Sequence, residues 1–384
     1  MRSIRLSIIG NPDSVHVSRW AHHFAQRGFD VTLLTFYQSS LDASENLQLR
    51  YLRPRSGGGS GTPHVATRLR SRLVEMLPGT MRMVTAARFS IAGFRKQLRA
   101  SRPDIVHGHY LSDYAFIAAT GGFRPLVTSA WGSDVLRDPR GSPVTKQIVR
   151  WVIGRSALIT YNADALAEAC TRLGARAAQL VKVVMGVDSA FLDATKGNPA
   201  PSARAPVIIS HRSLDRTIFN VDVIISAMPE VVRRVPEARL LIGNSGRLEP
   251  DLRALASRLG VGSSVQFIGR AADELELADR LGHAAVYVSI PDTDGSSVTL
   301  LQAMAAGSFP VVSDIPSNRE WIDREGGAVV PLRDAPALAT ALADALLDAE
   351  RREVAAERNR EVIAREATWD RNMDRMEQAY RQLV

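Results

Sequence analysis

Short runs of β-branched and other apolar residues alternate along the chain with longer stretches in which apolar positions recur every three or four residues. This alternation predicts parallel sheets covered by helices, an α/β architecture. In the first half the predicted strands are Ile4 to Ile9, Val31 to Thr35, Asp104 to His109, Leu126 to Ser129, Leu158 to Tyr161 and Val181 to Met185. A stretch rich in Pro, Gly, Ala and Ser, Asp193 to Pro206, breaks the pattern and reads as a linker. A second series follows: Val207 to Ser210, Leu240 to Gly243, Val265 to Ile268, Ala285 to Ser289, Phe309 to Ser313 and Ala328 to Val330. The pattern predicts two Rossmann-like domains, residues 1–192 and 207–365, joined by 193–206. Ligands of open α/β sheets lie beyond the carboxyl ends of the strands, so both binding sites are expected in a cleft between facing domains.

Between the second and third predicted strands lies a different kind of segment. A Gly/Ser loop, Arg55 to Pro63, leads into two amphipathic patterns. One carries Leu69, Leu73, Met76 and Leu77; the other carries Val84, Ala87, Ile91, Phe94 and Leu98. Their opposite faces hold Arg68, Arg70, Arg72, Arg82, Arg88, Arg95 and Arg99. Two readings stay open: a solvated basic face, or peripheral contact of residues 64–102 with an anionic membrane surface or acceptor.

Composition narrows the classes. The 384 residues, 45% hydrophobic and 23% charged, supply apolar material for two cores. A lone cysteine, Cys170, forms no internal disulfide, and no run approaches the roughly 18 apolar residues of a spanning helix. A cytoplasmic protein without signal peptide or anchor is therefore expected. The net charge of +8 is local, because Arg50 to Arg102 holds twelve Lys or Arg against one acid, so the remainder is net acidic. Such a distribution argues against nucleic acid as a partner.

Pro291 to Gly307, Pro-Asp-Thr-Asp-Gly-Ser-Ser-Val-Thr-Leu-Leu-Gln-Ala-Met-Ala-Ala-Gly, reads as a polar loop opening a helix. Backbone N–H groups of Gly295, Ser296, Ser297 and Val298, with Ser296 or Ser297 as N-cap, form an end that favours an anion, as in a diphosphate site. Asp294 stands at the loop tip. Gln302, eight positions on, is a polar amide in an otherwise apolar helix, suited to sugar hydroxyls.

This segment resembles the donor-site motif of the GT4 family of GT-B retaining glycosyltransferases. There Glu, seven residues and a second Glu precede Ala-Met-Ala-x-Gly-x-Pro-Val-Val; here Asp294 and Gln302 take the acid positions, Ala303, Met304, Ala305 and Gly307 match, and Pro310-Val311-Val312 follows one residue further on. In the family the first acid contacts the donor sugar and the second the nucleotide ribose. The resemblance extends over nearly the whole chain. Gly10-Asn11 through His16 looks like the first family loop, which approaches donor phosphates and acceptor. The segment His107-Gly-His109-Tyr110 matches an acceptor-side strand end. Trp131-Gly-Ser-Asp134 stands where many members carry a His that holds the donor sugar, and a subset shares the Trp-Gly-Ser-Asp form. In place of that His, the indole of Trp131 is suited to stack on a sugar face and the carboxylate of Asp134 to accept a hydroxyl. Arg212 matches the Arg of the diphosphate clamp, with Arg216 in place of the usual Lys. Gly243, Gly246, Ile268 and Gly269 match strand ends that line the nucleotide, and residues 366–384 resemble a helix crossing back to the first domain.

Asp292-Thr-Asp294 could be read as a manganese-binding pair, but it lies inside the donor loop, and no metal or cofactor is expected. The implied function is metal-independent, retaining transfer from a UDP- or GDP-sugar to a small-molecule acceptor of specialised metabolism. Arg212, Asp294, Trp131 and Asp134 are the catalytic candidates, and His16, His109 and Tyr110 the acceptor-binding ones. Two alternatives remain: a membrane-associated enzyme of glycolipid or polysaccharide synthesis, and a catalytically silent binding subunit.

Overall fold

The computed structural model describes residues 3–36, 46–52 and 91–384. The chain forms two units, one running to Val183 and completed by Met373–Val384, the other Val184–Asn372.

In the first unit β1 (Arg5–Ile9), β2 (Asp30–Thr35), β3 (Leu47–Tyr51), β4 (Ile105–His109), β5 (Leu126–Ser129), β6 (Leu158–Tyr161) and β7 (Leu180–Lys182) form one parallel sheet. Their order is β3-β2-β1-β4-β5-β6-β7. The central strands are near-continuous apolar runs because both faces are covered. Helix Val15–Gln26 buries Val17, Trp20, Ala21, Phe24 and Ala25, a stripe at spacings of three and four. Strand β3, absent from the sequence expectation, pairs with β2 at the sheet edge. The loop and stripe of residues 53–90 lie outside the described residues. Helix Ile91–Ala100 is described; it buries Phe94 and Leu98, whereas Ile91, expected on the same face, is exposed.

The second unit holds β8 (Val207–Ser210), β9 (Arg239–Ile242), β10 (Val265–Phe267), β11 (Val286–Ser289), β12 (Phe309–Ser313) and β13 (Ala328–Val330), all pairs parallel, in the order β10-β9-β8-β11-β12-β13. Successive residues feed opposite cores, as strand geometry requires. Ile208, Val286, Val288 and Val311 meet helices Val221–Arg234 and Ala335–Leu347. Ile209, Tyr287 and Val312 meet helices Glu274–His283 and Val298–Ala306. Residues 193–206, read from sequence as a linker, belong to this unit. The buried Arg204 guanidinium fixes them by donating to Ala284 O (3.1 Å) and to Ala306 O (2.8 Å) at a helix C-terminus.

In each sheet the strand order reverses once, between β1 and β4 and between β8 and β11. At such a switch point neighbouring loops leave in opposite directions and open a crevice. Both candidate sites occupy those positions.

Candidate functional site

In the second unit the loops after β8 and β11 bring Arg212 and Asp294 together. Arg212 Nη1 stands 2.8 Å from Asp294 Oδ2, and Nε donates to Ser289 Oγ at 2.7 Å, at the end of β11. Burial disfavours the guanidinium charge, but the Asp294 carboxylate and the Tyr287 hydroxyl outweigh it and raise its pKa. The third nitrogen, Nη2, is buried without a hydrogen-bond partner, an expensive state for a charged group that a ligand oxygen would relieve. Asp294 Oδ1 also accepts from Gly295 N (3.0 Å). The N-cap of helix Val298–Ala306 is Ser297, whose Oγ accepts from Leu300 N (3.3 Å). Ser296 Oγ instead accepts from Trp321 Nε1 (2.9 Å), which fixes the loop below the positive end of the helix.

The remaining donor-side candidates have other settings. Arg216 is exposed and lines a separate cavity of about 260 Å3 with Leu214, Val221 and Leu252, because the turn Thr217–Phe219 carries it outward. Gly243 and Gly246 are required by packing: a Cβ at 243 would lie 2.7 Å from the His211 ring, and one at 246 would lie 2.4 Å from the Leu214 carbonyl carbon. Ile268 N donates to Ile242 O (3.0 Å), and Gly269, at φ +68°, presents its carbonyl to Arg280 Nη1 (2.8 Å). Gln302 is 3% exposed, and its amide donates to Glu274 Oε2 at 2.5 Å. Sequence reasoning missed Ser289 and Glu274 and gave Trp321, part of a segment resembling the family, no role. Ser289 alone carried a signal, as the polar end of an apolar strand. Asp292 pairs with Arg333 (Nε to Oδ1, 3.0 Å) and Asn220 (2.8 Å) while Asp294 turns to Arg212, so the two carboxylates of the Asp-x-Asp sequence serve different cations.

In the first unit the crevice between the β1 and β4 loops is a cavity of about 360 Å3 lined by Asn11, Ser14, His16, His109, Tyr110, Asp113 and Trp131. Gly10 admits Val17, whose Cγ1 would lie 2.9 Å from an added Cβ. Asn11 Oδ1 accepts from Asp13 N (3.0 Å) and shapes the loop. His16 stacks on Trp131 (centroids 4.8 Å, 12°), Trp131 lies parallel to His109 (5.7 Å, 15°), and His109 stacks on His107 (4.4 Å, 20°). Trp131, expected to stand free for a sugar, is thus engaged by two imidazoles. His107 is bonded at both nitrogens, to the Tyr380 hydroxyl (2.5 Å) and Ser129 Oγ (2.8 Å). His109 has both nitrogens buried without a partner; burial, aided by His16, pushes its pKa down to about 3, so it is neutral at pH 7. Tyr110 opens a π-helical turn, Tyr110–Tyr114, at φ +66°, an unusual conformation for a bulky residue. Its hydroxyl meets Ser133 Oγ (2.7 Å) and donates to Asp138 Oδ2 (3.1 Å).

Asp134 departs from expectation. Its carboxylate is fully buried and accepts from Leu111 N (2.9 Å), Gly132 N (2.9 Å) and Trp131 N (3.1 Å), so it shapes the Trp131 loop and reaches no hydroxyl. Burial raises its pKa to about 6, against the pull of the three amides. Among the described residues no group of three or more His, Cys, Asp or Glu could hold a metal ion.

Comparison with known proteins gives one family match in each unit. Residues 5–163 match the family described as glycosyl transferase 4-like, and residues 205–348 match glycosyl transferases group 1, which together take in most of the chain. Over 182 residues it is 34% identical to a phosphatidyl-myo-inositol mannosyltransferase of Mycobacterium tuberculosis, covering 46% of this chain and 47% of that one. Over 257 residues it is 28% identical to a GDP-mannose-dependent alpha-(1-6)-phosphatidylinositol monomannoside mannosyltransferase of Mycolicibacterium smegmatis, covering 61% and 64%. The chain thus spans about half to two thirds of the length of these curated relatives. Among solved structures it resembles Anabaena HepE in complex with UDP (TM-score 0.76, 14% identity, 100% of both chains). It also resembles a sucrose-phosphate synthase of Thermosynechococcus elongatus (TM-score 0.74, 18% identity, 100% of this chain and 99% of that one). The chain has the GT-B fold and belongs to the GT4 family of glycosyltransferases.

Proposed function

We propose that the chain transfers a hexosyl group from a nucleoside diphosphate sugar, GDP-mannose being the first donor to try, to a hydroxyl of a phosphatidylinositol-type glycolipid. The observation that carries the reading is Arg212, which meets Asp294 through Nη1 and Ser289 through Nε and leaves Nη2 buried without a partner. A diphosphate brings the anionic oxygens such a guanidinium lacks. As the glycosidic bond lengthens, negative charge grows on the leaving diphosphate and is met by Arg212 and the helix dipole. Asp294, released from its ion pair by the incoming phosphates, becomes available to a donor-sugar hydroxyl. The acceptor hydroxyl attacks from the face the leaving group vacates, passing its proton to the diphosphate, and the anomeric configuration is retained. The neutral His109, with Asn11 and Tyr110 beside it, suits an uncharged polyol.

A small specialised metabolite as acceptor gives way here to a glycolipid, because the relatives bear names of phosphatidylinositol mannosyltransferases. The basic segment Arg50 to Arg102 supports this choice through attraction to anionic lipid. The test supplies GDP-mannose or UDP-glucose and vesicles containing phosphatidylinositol, then counts label in the organic phase. Transfer is expected, unaffected by EDTA, and Arg212→Ala should cut kcat/KM at least about a hundredfold. Label found only in a water-soluble product would return the acceptor to the small-molecule class. Neither transfer nor donor hydrolysis would leave a binding subunit.

A further inference from the structure

Gln302 and Glu274 form a pair that packing does not require. The helices Glu274–His283 and Val298–Ala306 already meet through Leu277, Ala278 and Leu281 against Leu301, Met304 and Ala305. Into this apolar interface the sequence places a Gln that is 3% exposed, and its amide donates to the carboxylate of Glu274, itself an exposed residue. Burying an amide costs free energy that another leucine would not. Glu274 is the first residue of its helix, behind the N-cap Asp273, whose Oδ1 accepts from Glu276 N (2.8 Å). The same helix is moored to the end of β10 by Arg280 Nη1, which donates to Gly269 O (2.8 Å). The Glu274 carboxylate therefore lies at the carboxyl edge of the sheet. Gln302 lies four residues, about 6 Å along the axis, beyond the helix start at Val298, which follows the loop carrying Asp294. That offset suits the pentose joined to a diphosphate held at the helix end.

Resting on the nucleotide-sugar reading, we infer that Glu274, oriented by Gln302, accepts the vicinal hydroxyls of the donor ribose. An acid beyond a strand end is a recurrent answer to ribose hydroxyls in sheets of this kind. Here the acid stands on the neighbouring helix, and the amide on the nucleotide-facing helix holds it.

The test is calorimetric binding of GDP and UDP, and of their 2′-deoxy and 3′-deoxy counterparts, to the full chain. The native protein should prefer the ribonucleotide by about tenfold or more, the worth of a hydrogen bond to a charged group. Glu274→Gln should bring that preference to within about twofold, the ribonucleotide losing more affinity than either deoxynucleotide. Gln302→Glu should weaken ribonucleotide binding, since two carboxylates then face each other, and Gln302→Glu combined with Glu274→Gln should restore the preference by exchanging acid and amide. A pair serving only to tie helices would change the melting temperature of these variants without moving the ratio. An unchanged ratio in Glu274→Gln with tight nucleotide binding overturns this assignment alone. No binding of any nucleotide to the native chain overturns the donor reading and this assignment with it.

Discussion

His109 is the residue whose chemistry is most constrained by its surroundings. In the folded chain its pKa lies near 3, while an unfolded imidazole titrates near 6.5. The unfolded chain therefore takes up a proton that the folded chain refuses, so the stability His109 allows is whole above pH 6.5 and drains away as the pH falls toward 3. His107, lowered by burial and by His109, acts in the same direction. Asp134 acts oppositely: its folded value near 6 exceeds the 3.8 of a free carboxyl, so acidification between those values stabilises the fold. His109→Phe keeps a flat ring between Trp131 and His107 and removes one of the two histidine contributions, leaving the other against Asp134. Unfolding free energies from urea titrations between pH 6.5 and 4 should then fall less steeply than in the native protein, by up to about 1.4 kcal/mol per pH unit. Equal slopes would mean that the ring nitrogens are hydrated. At this scale the sequence was partly legible. Arg212 and Asp294 were readable because each follows a strand on its own side of a switch point. Glu274 was not, because an acid at a helix start is ordinary and only the fold lays Gln302 against it.

At the scale of elements, legibility followed burial. The inner strands were found because sheets covered on both faces demand apolar runs, and β5, β6, β8 and β12 have the bounds the pattern predicted, as does the short edge strand β13. Strand β3 was missed although Leu47-Gln-Leu-Arg-Tyr51 alternates, because an edge strand whose only buried side chain is Leu47 has a weak pattern. Nothing in the sequence announced the π-helical turn after β4, since its five residues satisfy no period. That turn depends on Gly108: a Cβ there would lie 2.5 Å from Ala115 Cα and 2.9 Å from Ala118 Cβ. Neither backbone nor a methyl on a packed helix can give way, so helix Ala115–Thr120 would have to move and carry the turn with it. Gly108→Ala should destabilise the first unit by about 2 kcal/mol and lower acceptor turnover. Nucleotide affinity measured by calorimetry should stay unchanged, because Arg212 and Ser297 belong to the other unit. A drop in nucleotide affinity would contradict the assignment of the donor to that unit alone.

For the molecule as a whole, the decisive feature is that the first unit is finished by the last residues of the chain. The terminal helix Trp369–Arg381 delivers Tyr380, fully buried, among Phe24, Phe29 and His107. The Tyr380 hydroxyl accepts from Trp20 Nε1 (3.0 Å) and meets His107 Nδ1. On the surface Arg27 pairs with Asp374 (2.6 Å) and Glu377 (2.8 Å), exposed bridges worth little beside that buried ring. Tyr380→Phe removes only the hydroxyl and strands two buried polar atoms, a cost of about 1–3 kcal/mol. Tyr380→Ala also opens a cavity, for about 3–5 kcal/mol. Because the substitutions act on one of two units, the informative measurement is local. Hydrogen exchange followed by mass spectrometry should show faster exchange in helix Val15–Gln26, β1 and β4 in both variants, larger in Tyr380→Ala, with β8 to β13 unaffected. Acceleration spread evenly over both sheets would mean that the terminal helix stabilises the chain through some route other than the Trp20 and His107 contacts. If the first unit alone loosens, the acceptor cavity loosens with it, because His107 is the stacking partner of His109. Transfer to acceptor should then fall while nucleotide binding persists.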